Sequence, residues 1–170
     1  VPVAGYSLGA WIACELALLR PNLVSRLALT AAAGLHVPGS PMAELFIDDL
    51  DDMRRLVFFD ENDPAVPLAI PHSFEDPRIL MWLRAREATA RIAWNPYLHD
   101  PKLMGQLHRI ECPALVLWGR EDRLIPLAHG EAYAAGLPNA ELKVYEKCGH
   151  MTPFEVTEAW AADVGEFASA

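Results

Sequence analysis

The chain has 170 residues, of which 52% are hydrophobic and 22% charged, a composition ordinary for a packed globular domain with a sizeable core. Its 14 basic and 23 acidic residues leave a formal net charge of −9, which argues against nucleic acid as a partner, because phosphate binding calls for a basic patch. No apolar run approaches membrane-spanning length, so no membrane partner is expected. Three widely spaced cysteines fit neither a disulfide framework nor a zinc site; reduced thiols in the cytoplasm, with no metal, are the default.

The first element lies in VPVAGYSLGAWIACELALLRP. Val1, Val3 and Ala4 read as the end of a buried strand, and Ala10 to Arg20 suit a helix that Pro21 stops. Between them stands Gly5-Tyr6-Ser7-Leu8-Gly9. A strand that turns at once into a helix needs a sharp corner, and glycines on either side are expected to remove Cβ atoms that would clash there. The serine is then held on a strained turn above a helix N-terminus, which is the G-x-S-x-G nucleophile elbow. Val24 to Leu29 predicts the next parallel strand, running into Ala31-Ala32-Ala33-Gly34.

From about His36 to Ile110 the character changes to prolines, paired acids and bulky apolar residues. Helical segments are predicted near Pro41–Leu45, Leu50–Phe58, Arg78–Trp94 and Lys102–His108. Asp76-Pro77 predicts a helix start, an N-cap followed by proline at the first helical position. Arg78, Arg84, Arg86 and Arg91 share one predicted helix and read most simply as a solvated face, with one of them available to a substrate carboxylate.

After Pro113 strand–helix alternation returns. Ala114 to Trp118 is a continuous apolar run and predicts a fully buried strand. Asp122 follows it in a short loop, with Glu121 as the competing acid. A helix is predicted over Leu127–Ala135, a strand over Leu142–Tyr145 and a last helix over Pro153–Phe167. Of the six histidines, His36, His72 and His99 lie in proline-rich or polar stretches, and His108 and His129 read as helix-surface positions. His150 differs. It sits in a glycine-marked loop just past a strand, from which it can reach a site at that edge of a sheet. A serine hydroxyl needs a histidine base, and the histidine needs an acid to fix its tautomer. The chain order Ser7, Asp122, His150 is that of one hydrolase fold.

With these motifs the chain resembles the α/β-hydrolase-fold family of the bacterial, cap-bearing kind. GYSLG resembles the family's elbow, LVLWGREDRLIP its acid loop, and CGHMTPFE its histidine loop, Glu155 included. The resemblance implies an α/β fold: a partial α/β-hydrolase fold with a parallel sheet of the last four strands, flanking helices and a helical cap insertion. Core segments are expected at 1–35 and 111–170, with the cap at 36–110. In the family the elbow follows the fifth strand of an eight-stranded sheet, so the chain is expected to be a C-terminal part lacking the N-terminal strands. The loop that supplies the second oxyanion donor would lie in the absent part, and the chain taken alone is expected to be nearly inactive.

The implied chemistry is that of a serine hydrolase on an ester, thioester or related small-molecule carbonyl substrate, with no cofactor. Ser7 would be the nucleophile, His150 the general base and Asp122 its orienter, with the Leu8 N–H as an oxyanion donor. Tyr6, Phe46, Phe58, Trp82 and Trp94 are expected in the substrate pocket, alongside Met42, Met53, Phe59 and Met81. Carbon–carbon hydrolysis of ring-cleavage products and acyl transfer are the alternatives within the enzyme class, and a non-catalytic binding member the alternative outside it. Met151 departs from the aromatic residue that often follows the histidine in carbon–carbon hydrolases, and Gly9-Ala10 from the paired glycines of many relatives.

Overall fold

The computed structural model describes all 170 residues. Four strands, β1 (Pro2–Tyr6), β2 (Arg26–Thr30), β3 (Ala114–Gly119) and β4 (Ala140–Tyr145), form one parallel sheet in the order β1-β2-β3-β4. The pairing sets Ala4 beside Ala28, Leu29 beside Val116 and Val116 beside Leu142. β1 has a neighbour on one side only.

Parallel strands need crossovers, and the crossovers cover both faces. Helix α1 (Leu8–Leu19) connects β1 to β2 and α5 (Leu127–Gly136) connects β3 to β4. Between β2 and β3 lie α2 (Leu50–Val57), α3 (Val66–Ala69), α4 (Ile79–Ala93) and a 3₁₀ turn at Met104–Arg109. After β4 come the short α6 (Thr152–Glu155) and α7 (Thr157–Ser169). The period-2 alternation of β3 sorts its side chains to two cores. Ala114, Val116 and Trp118 join a cluster of 26 buried residues with α1, α5 and α2, whereas Leu115 and Leu117 pack with Tyr145 and Cys148 against α7. Every residue of β3 is buried, which is why it reads as an unbroken apolar run.

The elements explain themselves locally. In α1 the buried positions are Ala10, Ala13, Cys14 and Ala17, at helical spacing and all small, so the helix lies close on the sheet. In α2, Asp49 caps the helix by accepting the N–H groups of Asp51 and Asp52. In β3 the Trp118 indole N–H donates to the carbonyl of Ile125 at 2.9 Å and so folds the following loop back over the strand end.

Four expectations are corrected. Residues 41–45 form no helix. Tyr97 instead holds them in an irregular course, its hydroxyl accepting the Leu45 N–H at 2.6 Å and donating to the Ala43 carbonyl at 2.7 Å. The helix after Asp76-Pro77 starts at Ile79 and not with Pro77 as its first residue, because the Asp76 carboxylate is taken up by the Arg78 backbone and guanidinium in a tight turn. The segment 102–108 makes 3₁₀ rather than α-helix, over Met104–Arg109. The last helix is broken at Val156, whose φ of −130° and ψ of 42° lie outside the helical region. No helix is long and apolar enough to cross a membrane.

Candidate active site

Ser7 stands between β1 and α1 with φ 52° and ψ −118°, a conformation that glycine adopts readily and other residues rarely. The backbone around it over-determines that strain. The Ser7 N–H donates to the Thr30 carbonyl, and the Ser7 carbonyl accepts from Ala10, Trp11 and Ala33. Gly5 is obligatory here, since a Cβ would lie 2.5 Å from Ala10 Cα. Gly9 is not: a Cβ there would meet nothing within 4 Å, because it faces the exposed side of the turn. Leu8 is the first residue of α1, so its N–H has no partner within the helix.

Asp122 follows β3 and His150 follows β4, so both loops emerge at the same edge of the parallel sheet as Ser7. One oxygen of Asp122 accepts the N–H groups of Leu124 and Ile125 at 2.9 and 2.8 Å. The other lies 2.8 Å from His150 Nδ1, and His150 Nε2 lies 3.0 Å from Ser7 Oγ. Asp122 and His150 are buried. With the carboxylate on Nδ1–H, the lone pair of Nε2 faces the serine hydroxyl, the arrangement needed to receive its proton. Glu121, the competing acid, accepts the Cys148 N–H and does not meet His150.

A cavity of about 210 Å³ opens at this point, its walls including Tyr6, Ser7, Trp82, Arg86, His150 and Met151. Tyr6 donates its hydroxyl to the Met151 sulfur at 3.0 Å, with its ring 5.4 Å from that of His150. Burial, together with the charges of Asp122 and Glu155, pushes the Tyr6 hydroxyl far above its ordinary pKa, so it stays protonated. Arg86 reaches the cavity from α4. It stacks on Trp82 at 4.4 Å and donates to the carbonyls of Leu45 and Ile47, with no ion pair to a carboxylate. Desolvation lowers its pKa. The charges of Asp48 and Glu44 offset part of that effect without reaching the guanidinium in an ion pair, which leaves it suited to an anionic group arriving from solution.

Of the expected pocket residues, Tyr6 and Trp82 line this cavity and Met53 does as well. Phe46, Phe58 and Trp94 do not. Phe58 is wholly inside the core, while Phe46 packs on Trp94 and Tyr97, leaving Trp94 63% exposed. Met81 is exposed and Phe59 lines a separate surface cleft with Arg55 and Arg123. Arg86 leaves the solvated face, while Arg78 and Arg91 pair with Asp76 and Glu87. His129 is buried rather than on the surface, its Nε2 donating to the Ser40 carbonyl at 2.8 Å. Cys148 is buried and its thiol is pushed up to about 12, mainly by burial, so it is no second nucleophile. No group of His, Cys, Asp or Glu side chains is arranged to hold a metal ion.

Comparison with known proteins places this geometry in context. The model of the alpha/beta hydrolase family matches residues 2–164. A 2-hydroxy-6-oxononadienedioate/2-hydroxy-6-oxononatrienedioate hydrolase of Pseudomonas putida is 29% identical over 98% of this chain, which spans 62% of that relative's length. The crystal structure of a 2-hydroxy-6-oxo-6-phenylhexa-2,4-dienoate hydrolase from Rhodococcus sp. strain RHA1 superposes with a TM-score of 0.77 at 23% identity, over 99% of this chain and 64% of that one. That of a bacterial membrane phospholipase A superposes with a TM-score of 0.68 at 28% identity, over 98% of this chain and 56% of that one.

Proposed function

The chain belongs to the alpha/beta hydrolase family, and on that premise we propose that it carries the triad of a serine-dependent hydrolase acting on a small carbonyl substrate. The observation that carries the reading is the unbroken hydrogen-bond chain from Asp122 through His150 to Ser7, with Ser7 strained at a helix N-terminus. Ser7 Oγ attacks the carbonyl carbon while His150 Nε2 takes its proton. Asp122 stabilises the imidazolium, and the free N–H of Leu8 meets the oxyanion. His150 then protonates the leaving group. A water that gives its proton to the same nitrogen hydrolyses the acyl-enzyme and regenerates Ser7. Residues 36–110 act as the cap that roofs the cavity, with segments 1–35 and 111–170 as its base.

A fluorophosphonate probe tests this. Ser7 should be labelled in the full-length protein that carries this chain, and its Ser7→Ala and His150→Ala variants should not react. A folded chain left unlabelled would instead be a binding member of the family.

Arg86 favours a narrower second reading, in which the substrate bears a carboxylate. The matched Pseudomonas relative is named for a dioate and the Rhodococcus structure for a dienoate, which supports carbon–carbon hydrolysis of an oxo-dienoic acid over ester cleavage. Hydrogen bonds to a charged group contribute about 1.5–3 kcal/mol, so Arg86→Gln should lower kcat/KM for such an acid roughly tenfold to a hundredfold. The loss on a p-nitrophenyl ester without a carboxylate should be smaller. Equal losses on both substrates would sink the carboxylate reading.

A further inference from the structure

The end of α2 receives more side-chain and backbone partners than a helix terminus needs. From the acid loop, Arg123 donates through Nη1 to the carbonyls of Arg55 and Phe58 at 2.6 and 3.1 Å, and through Nη2 to that of Phe59 at 3.5 Å. These are carbonyls at or near the helix C-terminus, where a cation is favoured. From the histidine loop, the Met151 N–H donates to the Val57 carbonyl at 3.0 Å. The loop presses so close that a Cβ on Gly149 would lie 2.7 Å from the Phe59 nitrogen and 2.8 Å from the Val57 oxygen.

Glu155 closes the arrangement. One carboxylate oxygen accepts the Phe59 N–H at 2.6 Å and the other the Gly149 N–H at 2.9 Å. Glu155 makes no ion pair and is a half-buried carboxylate whose charge is met by two backbone donors from two different segments, with the Cys148 thiol a longer third contact at 3.9 Å. Holding a carboxylate there against its desolvation is costly unless both donors are fixed. Gly149 immediately precedes His150, and Arg123 immediately follows Asp122.

We propose that Glu155 and Arg123 are positioning residues that lock the histidine and acid loops onto one fixed point, the end of α2. The segment between β2 and β3 then sets the geometry of the triad as well as roofing the cavity. The inference rests on the triad reading above and adds to it the groups that hold the triad in place. A displacement of about 1 Å in a reacting group costs up to about a hundredfold in rate.

The test pairs two measurements on the full-length protein that carries this chain and its variants Glu155→Ala, Glu155→Gln, Arg123→Ala and Arg123→Lys. The first is amide hydrogen exchange at residues 57–59 and 148–151. The second is Ser7 phosphonylation, resolved into probe binding and the inactivation step. Glu155→Ala should raise exchange in both stretches and slow inactivation by up to about a hundredfold, with probe binding little changed. Glu155→Gln should recover part of the loss, because its amide oxygen still accepts one N–H. Arg123→Lys, with a cation but no fork, should recover part of the loss in Arg123→Ala. If an alanine variant fails to fold, the Gln and Lys variants carry the same comparison against the parent. Unchanged exchange in folded variants would overturn the tie, and raised exchange with normal inactivation would overturn its role in positioning. A parent chain unlabelled at Ser7 would overturn the triad reading instead, while the exchange data would still decide whether Glu155 joins the loops.

Discussion

At the scale of residues, the site depends on which lone pairs and protons face one another. Asp122 illustrates this. Its first oxygen is fixed by the N–H groups of Leu124 and Ile125, so in Asp122→Asn the amide oxygen must stay on those donors. The amide NH₂ then faces His150 Nδ1, which forces the proton onto Nε2 and aims it at Ser7 Oγ. The serine loses its base, and kcat should fall by about four orders of magnitude with the fold intact, as judged by circular dichroism. Retained activity in Asp122→Asn would exclude Asp122 as the orienting acid. The buried His129 offers a pH test. Burial lowers its pKa from the ordinary value of 6.5, so the folded protein keeps it neutral where the unfolded chain would protonate it. Its contribution to stability is therefore full above about pH 6.5 and is lost as pH falls towards the lower folded value. His129→Gln should flatten the fall in melting temperature between pH 7.5 and 5. An unchanged slope would remove His129 from the account. The convergence of Ser7, Asp122 and His150 is legible in the sequence because each lies beside a local signal: flanking glycines, a Trp-Gly turn after an apolar run, and Gly149. Phe46, Phe58 and Trp94 fall outside the cavity because side-chain direction at a helix end or in an irregular segment depends on distant packing: Phe58 turns into the core, and Phe46 gathers Trp94 and Tyr97. Arg86 could be singled out among four arginines only once Trp82 and the carbonyls of Leu45 and Ile47 were seen beside it.

At the scale of elements, legibility tracks how local the cause is. β3 declares itself because both faces are covered, and α1 because its small residues recur at helical spacing. Residues 41–45 carry no such local cause. Their course is dictated by Tyr97, more than 50 positions away, and by the Ala43 N–H bonded to the Leu124 carbonyl. Tyr97→Phe removes both hydrogen bonds at once and leaves the Leu45 N–H and Ala43 carbonyl unpaired. Unfolding in urea should show a loss of about 1–2 kcal/mol. Leu45 also lines the cavity, so the same variant should raise KM more than it lowers kcat. A fall in kcat alone would show that the segment bears on the triad rather than on substrate binding. Gly5 makes the contrasting case, an element junction that the sequence did reveal. Gly5→Ala drives a methyl group into the backbone of α1, and its cost should reach or exceed about 1–3 kcal/mol in the same experiment.

At the scale of the whole chain, two opposed features bear on association of the 170 residues taken by themselves. Within these 170 residues β1 pairs with β2 alone, so in the chain taken by itself the other edge presents unpaired backbone donors and acceptors. Beside it, α1 exposes Ile12, Leu16 and Leu19 at positions four and three apart, which is one helix face, and Leu23 is exposed just beyond. An open strand edge next to an apolar helix face is a template for other chains. Against this stands the net charge of −9, which holds copies apart over distances that salt shortens, to about 10 Å at 0.1 M. The 170-residue chain should therefore be most nearly monomeric in dilute, low-salt buffer and should associate as salt is raised. Sedimentation velocity across a salt series reads this directly. Ile12→Lys combined with Leu19→Lys should shift the onset of association to higher salt even though it reduces the net negative charge, because the apolar face rather than mean charge is the attractive element. A double variant that associated more readily than the parent would assign the effect to net charge alone. A parent chain monomeric at every salt concentration would show that the β1 edge and the α1 face are too small to drive association.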